Sequence, residues 1–172
     1  MTESSGSILA GESRPDARGA GAAPGNRLLK SSLYGGLIAG TVDIFAASLL
    51  NMANPLFILM AIATGVLGRA AFKGGPGAMV LGLLLQWGMS ILIAAIFTLA
   101  ARRMPALARR WVVWGALYGA VVFVVMNFVV VPLSAAPFKP HFTAAWIGGN
   151  LLAMLVFGWI VALTADRQLT PR

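Results

Sequence analysis

The sequence lacks cysteine, contains one histidine, and has only 10% charged residues among its 172 residues. The absence of cysteine excludes a disulfide scaffold, thiolate chemistry and cysteine-ligated zinc or iron–sulfur clusters. A single histidine removes most remaining transition-metal sites, so neither a metal site nor a cofactor is expected. The sequence also lacks a phosphate-binding glycine loop and a dinucleotide-binding fingerprint, which gives no support to nucleotide chemistry.

Hydrophobic residues are abundant instead: they make up 59% of the chain, and the mean hydropathy is +0.84. A soluble domain is about 45–50% apolar and about 25% charged. A small domain cannot hide such an excess in its interior, because much of its surface stays in water. The composition therefore excludes a soluble globule and a disordered chain, and it favours a membrane protein.

The first 31 residues differ from the rest, because they are rich in Ser, Gly, Ala, Arg and Pro and contain no aromatic residue. Such a segment cannot bury enough apolar area to offset its chain entropy. We predict a disordered cytoplasmic tail over residues 1–31, a transmembrane domain over residues 32–166, and a short cytoplasmic tail over residues 167–172.

Four apolar segments reach the length of about 20 residues that a helix needs to cross a bilayer. They are Leu33–Asn51, Ala78–Ala100, Trp111–Leu133 and Phe142–Ala165. A fifth apolar run, Leu56–Phe72, is weaker, because it meets Arg69 after 13 residues, which cover only about 20 Å as a helix. We predict an all-α bundle of four spans, with Leu56–Phe72 as a short interfacial or re-entrant helix between spans one and two.

The basic residues support this count of crossings. Four precede span one, four lie between spans two and three, and two follow span four, so ten of the 13 share one side. The positive-inside bias then places both termini in the cytoplasm. These membrane edges, where basic residues meet anionic lipid headgroups, also explain the net charge of +8. Nucleic-acid binding is not expected, since no folded basic surface with groove-reading elements is present.

Small residues spaced four apart predict close helix packing. Span one contains Gly36 and Gly40, and span three contains Gly115 and Gly119. Residues at this spacing share one helix face and allow a neighbouring backbone to approach. The two alternatives are packing within one bundle and a specific homodimer interface. The first is favoured, because such motifs are common in membrane helices.

Asp43 is the acidic residue that lies deep in a predicted span, about 15 Å from the inner boundary at the helical rise. The other three spans each carry an amide side chain, namely Gln86, Asn127 and Asn150. An acidic group at membrane depth suggests a functional site, so Asp43 either exchanges protons or binds a cation, or it holds the bundle together through amide hydrogen bonds. The structural role is favoured, because no basic residue lies at comparable depth to form an ion pair and because a proton relay needs several ionisable groups.

No arrangement of residues typical of catalysis is recognisable. The serines have no partner base within a known motif, and an enzyme acting on lipid would have to combine Asp43 with a hydroxyl such as Thr41 or Ser90. We therefore expect a non-enzymatic structural or accessory membrane protein. The alternatives are a small transporter or channel in which Asp43 senses protons or cations, and, with less support, a lipid-acting membrane enzyme.

Several short segments resemble a group of bacterial inner-membrane proteins that have four spans and no assigned function. The resemblance covers about residues 33–165 and is carried by the segments Ala39–Ile44, Gly65–Phe72, Leu117–Gly119 and Val125–Ser134. It implies the four-span layout and a bacterial inner-membrane location. The family has histidines in spans two and four, where this sequence has Gln86 and either Ala153 or Met154. A metal or haem site centred on histidine is therefore not predicted for this chain.

Overall fold

A computed structural model of the protein describes residues 24–137 and 143–169, and all regular structure within these ranges is helical. In chain order the elements are α1 (Pro24–Leu50), α2 (Pro55–Leu67), a 3₁₀-helix (Gly68–Lys73), α3 (Gly75–Arg103), α4 (Pro105–Arg109), α5 (Trp111–Val125), a π-helical turn (Met126–Val130), α6 (Val131–Leu133) and α7 (Ala144–Leu169). The prediction of an all-α fold is confirmed.

Five helical stretches are long and apolar enough to cross a membrane, which is compatible with a multi-pass membrane protein. They are Leu28–Leu50, Pro55–Lys73, Gly75–Arg103, Trp111–Leu133 and Ala144–Leu169. Four of them overlap the predicted spans. The other, Pro55–Lys73, contains the run predicted to stay short of a full crossing. Its length and composition alone allow a crossing, so the four-span count stays a prediction.

The helices at both ends extend beyond the predicted domain boundaries. α1 begins at Pro24, so residues 24–31, which were predicted as part of the tail, are helical. Proline suits the first helical position, and Ser31 and Ser32 are buried. α7 continues to Leu169 rather than ending at residue 166. Residues 1–23, 138–142 and 170–172, which include most of the predicted N-terminal tail, lie outside the described residues.

Four long helical segments, α1, α3, α5 and α7, form an up-and-down bundle. α1 runs antiparallel to both α3 and α7, and α5 runs antiparallel to α7. The residue pairs that fix these directions are Ser31–Thr98 and Asp43–Gln86 for α1 and α3, Gly35–Thr164 and Leu50–Gly149 for α1 and α7, and Gly115–Ala162 and Gly119–Leu155 for α5 and α7. The main apolar core lies between these helices and includes Ala39, Phe97, Phe157 and Val161.

α2 lies outside this bundle, against α3. Asn54 caps its first turn, accepting a hydrogen bond of 2.9 Å from the Leu56 amide. α2 runs antiparallel to α3, because Leu59 lies against Gly82 nearer the middle of α3, while Ala63 shares a buried cluster with Ala78 near its start. Since α1 is also antiparallel to α3, α1 and α2 point in the same direction.

The end of α2 is a sharp reversal at Gly68, whose φ of 58° lies in the left-handed region that favours glycine. The following 3₁₀-helix folds back, so that the ring of Phe72 stacks on that of Phe57 with centroids 5.5 Å apart. The Gly65 carbonyl also accepts a hydrogen bond of 3.0 Å from the Ala135 amide. α2 and the 3₁₀-helix therefore form one folded-back element that is attached to the chain following α6.

Candidate functional site

Close contact between α1 and α3 positions the buried polar groups. A Cβ atom at Gly36 would lie 2.5 Å from the Ile91 Cα, and one at Gly40 would lie 2.6 Å from the Ser90 Oγ. Only glycine permits this approach, since real Cβ atoms do not come so close to their neighbours. α3 of the same chain therefore packs on the small-residue face that the glycine spacing predicts for span one.

One turn beyond Gly40, the two helices are joined by a direct side-chain hydrogen bond. Gln86 Nε2 donates to Asp43 Oδ2 at 2.8 Å. A second interhelical bond lies nearby, where Trp87 Nε1 donates to Thr41 Oγ1 at 3.3 Å. Thr41 donates its own hydroxyl proton to the Leu37 carbonyl at 2.8 Å, so the closest hydroxyl on α1 is engaged by backbone and is not directed at the carboxyl.

A cavity of about 100 Å³ opens beside the Asp43 carboxyl, between α1 and α7. Its lining residues are Asp43, Ala47, Leu50, Asn51, Trp146, Asn150 and Met154. Along α1 it extends from Asp43 to the end of the helix, a distance of about 12 Å at the helical rise. A volume of this size accommodates about three water molecules or a small ion with part of its hydration shell.

The cavity contains the amides of Asn51 and Asn150 as well as the carboxyl. Asn51 Nδ2 donates to the Ala47 carbonyl at 2.8 Å. The side-chain oxygen of Asn51 is the atom of this amide that can accept a hydrogen bond or bind a cation. Asn150 is half-buried, and its amide makes no hydrogen bond to another described residue. Within the described residues, the cavity thus combines one carboxylate with two amide groups that have oxygen atoms to offer.

Asn127 is separate from this arrangement. It is buried, and its Nδ2 donates to the Phe123 carbonyl of its own helix at 2.9 Å. It lies in the π-helical turn, where the Val131 amide bonds to the Met126 carbonyl five residues earlier. Pro132 explains this turn, because proline has no N–H and its ring crowds the carbonyl four residues before it. The structure therefore brings Asp43, Gln86 and Asn150 together but leaves Asn127 elsewhere.

The space beside the glycines of span three is also occupied by residues of the same chain. A Cβ at Gly115 would lie 3.0 Å from the Gly158 carbonyl oxygen and 3.0 Å from the Ala162 Cβ. One at Gly119 would lie 2.9 Å from the Leu155 Cα. Gly158 on α7 faces both of these glycines across the contact. The packing alternative thus accounts for all four glycines that the sequence singles out.

A second cluster of polar side chains lies near the opposite end of the bundle, and it was not predicted from the sequence. Ser31, Ser32, Thr98 and Asp166 are all buried there, and the Ser31 and Thr98 hydroxyl oxygens lie 3.4 Å apart. The signal in the sequence is weak, because Asp166 directly precedes Arg167 and so looks like a solvated helix end. Serine and threonine also satisfy their hydroxyls within a helix, so they do not mark a site by themselves.

Among the described residues, no group of three or more His, Asp or Glu side chains could hold a metal ion. Comparison with protein-family models, curated proteins and solved structures finds no match to this chain. The resemblance to bacterial four-span inner-membrane proteins therefore stays a prediction.

Proposed function

We propose that this chain is a four-span inner-membrane protein of a bacterium, with a non-enzymatic structural or accessory role. The observation that carries the proposal is the Asp43–Gln86 hydrogen bond, located where Gly36 and Gly40 bring α1 and α3 into contact. A polar pair in this position fixes the register of two helices that lipid gives no hydrophobic reason to associate.

The directions of α1, α2 and α3 support four crossings. α1 and α2 point the same way, and only four residues, Asn51–Asn54, join them. Such a connection extends at most about 17 Å, which is less than the hydrocarbon thickness of about 30 Å. α2 therefore cannot start at the opposite surface, and it runs back toward the surface where α1 ends. This is the course of a re-entrant helix.

The distribution of exposed basic side chains supports cytoplasmic termini. Six of them lie at the end of the bundle where α1 begins and α3 ends: Lys30, Arg102, Arg103, Arg109, Arg110 and Arg167. At the other end Arg69 and Lys73 are exposed. By the positive-inside bias, the first end faces the cytoplasm.

The bilayer itself is the partner we propose, and a homodimer is not required. The glycine faces that suggested a dimer are occupied by helices of the same chain. Crosslinking in native membranes over a range of expression levels checks this. A monomer at all levels agrees with the proposal, and a specific crosslinked dimer would show that another surface carries an interface.

The structural role is tested by comparing Asp43→Asn with Asp43→Leu. Asparagine keeps an oxygen that accepts from Gln86, so we expect the Asn variant to insert and fold normally. Leucine removes the acceptor and leaves the Gln86 amide buried without its partner, so we expect less folded protein in membranes and a lower unfolding temperature. Equal stability of the two variants would contradict the structural role.

A small transporter is the second candidate, because the cavity between α1 and α7 reaches the Asp43 carboxyl. Its test is the flux of protons and alkali cations into reconstituted vesicles. If Asp43 carries transport, the wild-type protein shows flux and the Asp43→Asn variant, although folded, does not. Flux that is absent from the wild type, or unchanged in the variant, argues against this candidate.

A further inference from the structure

The Asp43 carboxylate uses one of its two oxygens for bonding within the protein. Oδ2 accepts from Gln86, while Oδ1 has no hydrogen bond to another described residue. No Lys, Arg or His of the described residues forms an ion pair with this carboxyl. A carboxylate taken out of water is strongly disfavoured unless it is paired, so the cavity next to it is the place where a counter-charge would be accommodated.

The oxygens that share the cavity with Asp43 belong to the class that hard cations prefer. Carboxylate and amide carbonyl oxygens bind alkali and alkaline-earth cations, whereas softer transition metals favour imidazole and thiolate. The cavity lining offers Asp43, Asn51 and Asn150 for this purpose and contains no histidine or cysteine. Both asparagines lie nearer the end of α1 than Asp43 does, so their amide oxygens contact the water molecules that complete the coordination of an ion beside the carboxylate.

Charge balance selects the valence of the cation. One carboxylate neutralises one positive charge, so a monovalent cation gives a neutral site. A divalent cation would leave a net charge of +1 in a region of low dielectric, which is strongly unfavourable. From these residues we infer that the cavity between α1 and α7 binds one monovalent alkali cation, coordinated by Asp43 and by water molecules that the amides of Asn150 and Asn51 hold in the cavity.

The shape of the cavity determines how the cation enters. Asn51 and Trp146 lie at the end where α1 finishes, and Leu50 packs on Gly149 beside them. On the other side of Asp43, α1 and α7 pack directly on each other, because Ala39 and Val161 share the buried core and Gly35 lies against Thr164. The site is therefore open from one membrane surface only, which under the topology proposed above is the outer one. This inference rests on that topology and adds the ligand class.

The binding experiment uses the purified full-length protein in lipid nanodiscs, with radioactive sodium as the probe and choline chloride to hold ionic strength constant. We expect saturable binding of one sodium ion per chain, with competition by potassium. Asp43→Asn should abolish saturable binding while retaining the oxygen that accepts from Gln86. Asn150→Leu should raise the Kd by about tenfold, which corresponds to the loss of one hydrogen bond to the water of the bound ion.

Two matched controls keep the result interpretable if a variant is unstable. Ala47→Leu fills the cavity without changing any charge, so it should abolish binding, whereas Ala46→Leu adds the same side chain outside the cavity lining and should leave the Kd within about twofold. Likewise Asn127→Leu removes an amide that lies outside the cavity lining and should leave the Kd unchanged.

The inference is overturned by wild-type protein that shows no saturable sodium or potassium binding, including the case in which Asp43 exchanges only protons. It is also overturned by binding that survives both Asp43→Asn and Ala47→Leu. These outcomes differ from failure of the proposed function. That proposal is tested by the stability of the Asp43 variants and by the side of the membrane from which introduced cysteines are labelled. A folded, four-span protein without cation binding would contradict only the cation site.

Discussion

Asp43 and Gln86 lie 43 positions apart in the chain and are joined by a hydrogen bond of 2.8 Å between α1 and α3. Asp43 also lines the cavity against α7, and its second carboxylate oxygen has no hydrogen bond to another described residue. One interaction therefore both fixes two helices and orients the carboxyl. The predictions below separate these two consequences.

The first prediction concerns the energy of this bond. Gln86→Leu removes the donor and should lower the free energy of unfolding by about 1 kcal/mol, since measured membrane hydrogen bonds average about 0.6 kcal/mol and reach about 1.7 kcal/mol. A double-mutant cycle with Asp43→Leu, measured by reversible unfolding in mixed micelles, should give a coupling energy of the same size. Additive effects of the two substitutions would show that the bond does not stabilise the fold.

The second prediction concerns the contact of α5 with α7. Gly119→Ala places a Cβ 2.9 Å from the Leu155 Cα, so the helices must separate, and we expect a loss of about 1–3 kcal/mol of stability. Gly88→Ala is the matched control, because nothing lies within 4 Å of a Cβ there. That control should be neutral or stabilising by up to about 1 kcal/mol. Thermal unfolding of both variants checks the contrast, which would fail if both lost stability equally.

The third prediction concerns the number of crossings. Because the chain contains no cysteine, single cysteines introduced at Met52 and Lys73 report their membrane side directly. Both positions are exposed, and Met52 is 90% accessible. With four crossings, a membrane-impermeant maleimide should label both from the outer side.

A cysteine at Arg103 serves as the control for sidedness and should react only after the membrane is permeabilised. If the stretch from Pro55 to Lys73 crosses the membrane completely, the cysteines at Met52 and Lys73 will react from opposite sides. That single outcome would replace four crossings with five.

The fourth prediction concerns the reversal after α2. Gly68 has a φ of 58° and a ψ of −146°, a conformation that side chains other than glycine adopt at a penalty of about 1–3 kcal/mol. Gly68→Ala should therefore loosen the packing of Phe72 on Phe57 and speed hydrogen exchange in residues 56–72. Gly77→Ala, where nothing lies within 4 Å of a Cβ, should leave exchange in that segment unchanged.

Much of the helical layout follows from hydropathy, because a helix in lipid must satisfy its own backbone and therefore needs a long apolar run. The stretch Trp111–Leu133 has the same bounds in the sequence analysis and in the structure. Span one was predicted to start at Leu33, whereas α1 begins at Pro24. Residues 24–31 are largely polar and become helical because they continue a stable helix. Hydropathy does not register such an extension.

The residues of the polar site could be predicted from the sequence, but their positions relative to one another could be predicted only in part. Depth along a helix can be counted from the sequence, and this count placed Asp43 about 15 Å from the inner boundary. Rotation about the helix axis cannot be counted in the same way, because it depends on which faces pack. Asn127 shows the difference: it bonds to its own backbone in the π-helical turn, a local geometry that depends on Pro132 and was not read from the pattern.

The direction of α2 has a consequence for biosynthesis. α2 packs on α3, which the ribosome synthesises after α2. Under the proposed four-span topology α2, with its 13 residues, does not span the bilayer, so the translocon does not release it sideways as an independent segment. On that topology the newly made α2 stays at the lipid surface until α3 is inserted, and its docking is a late step in assembly.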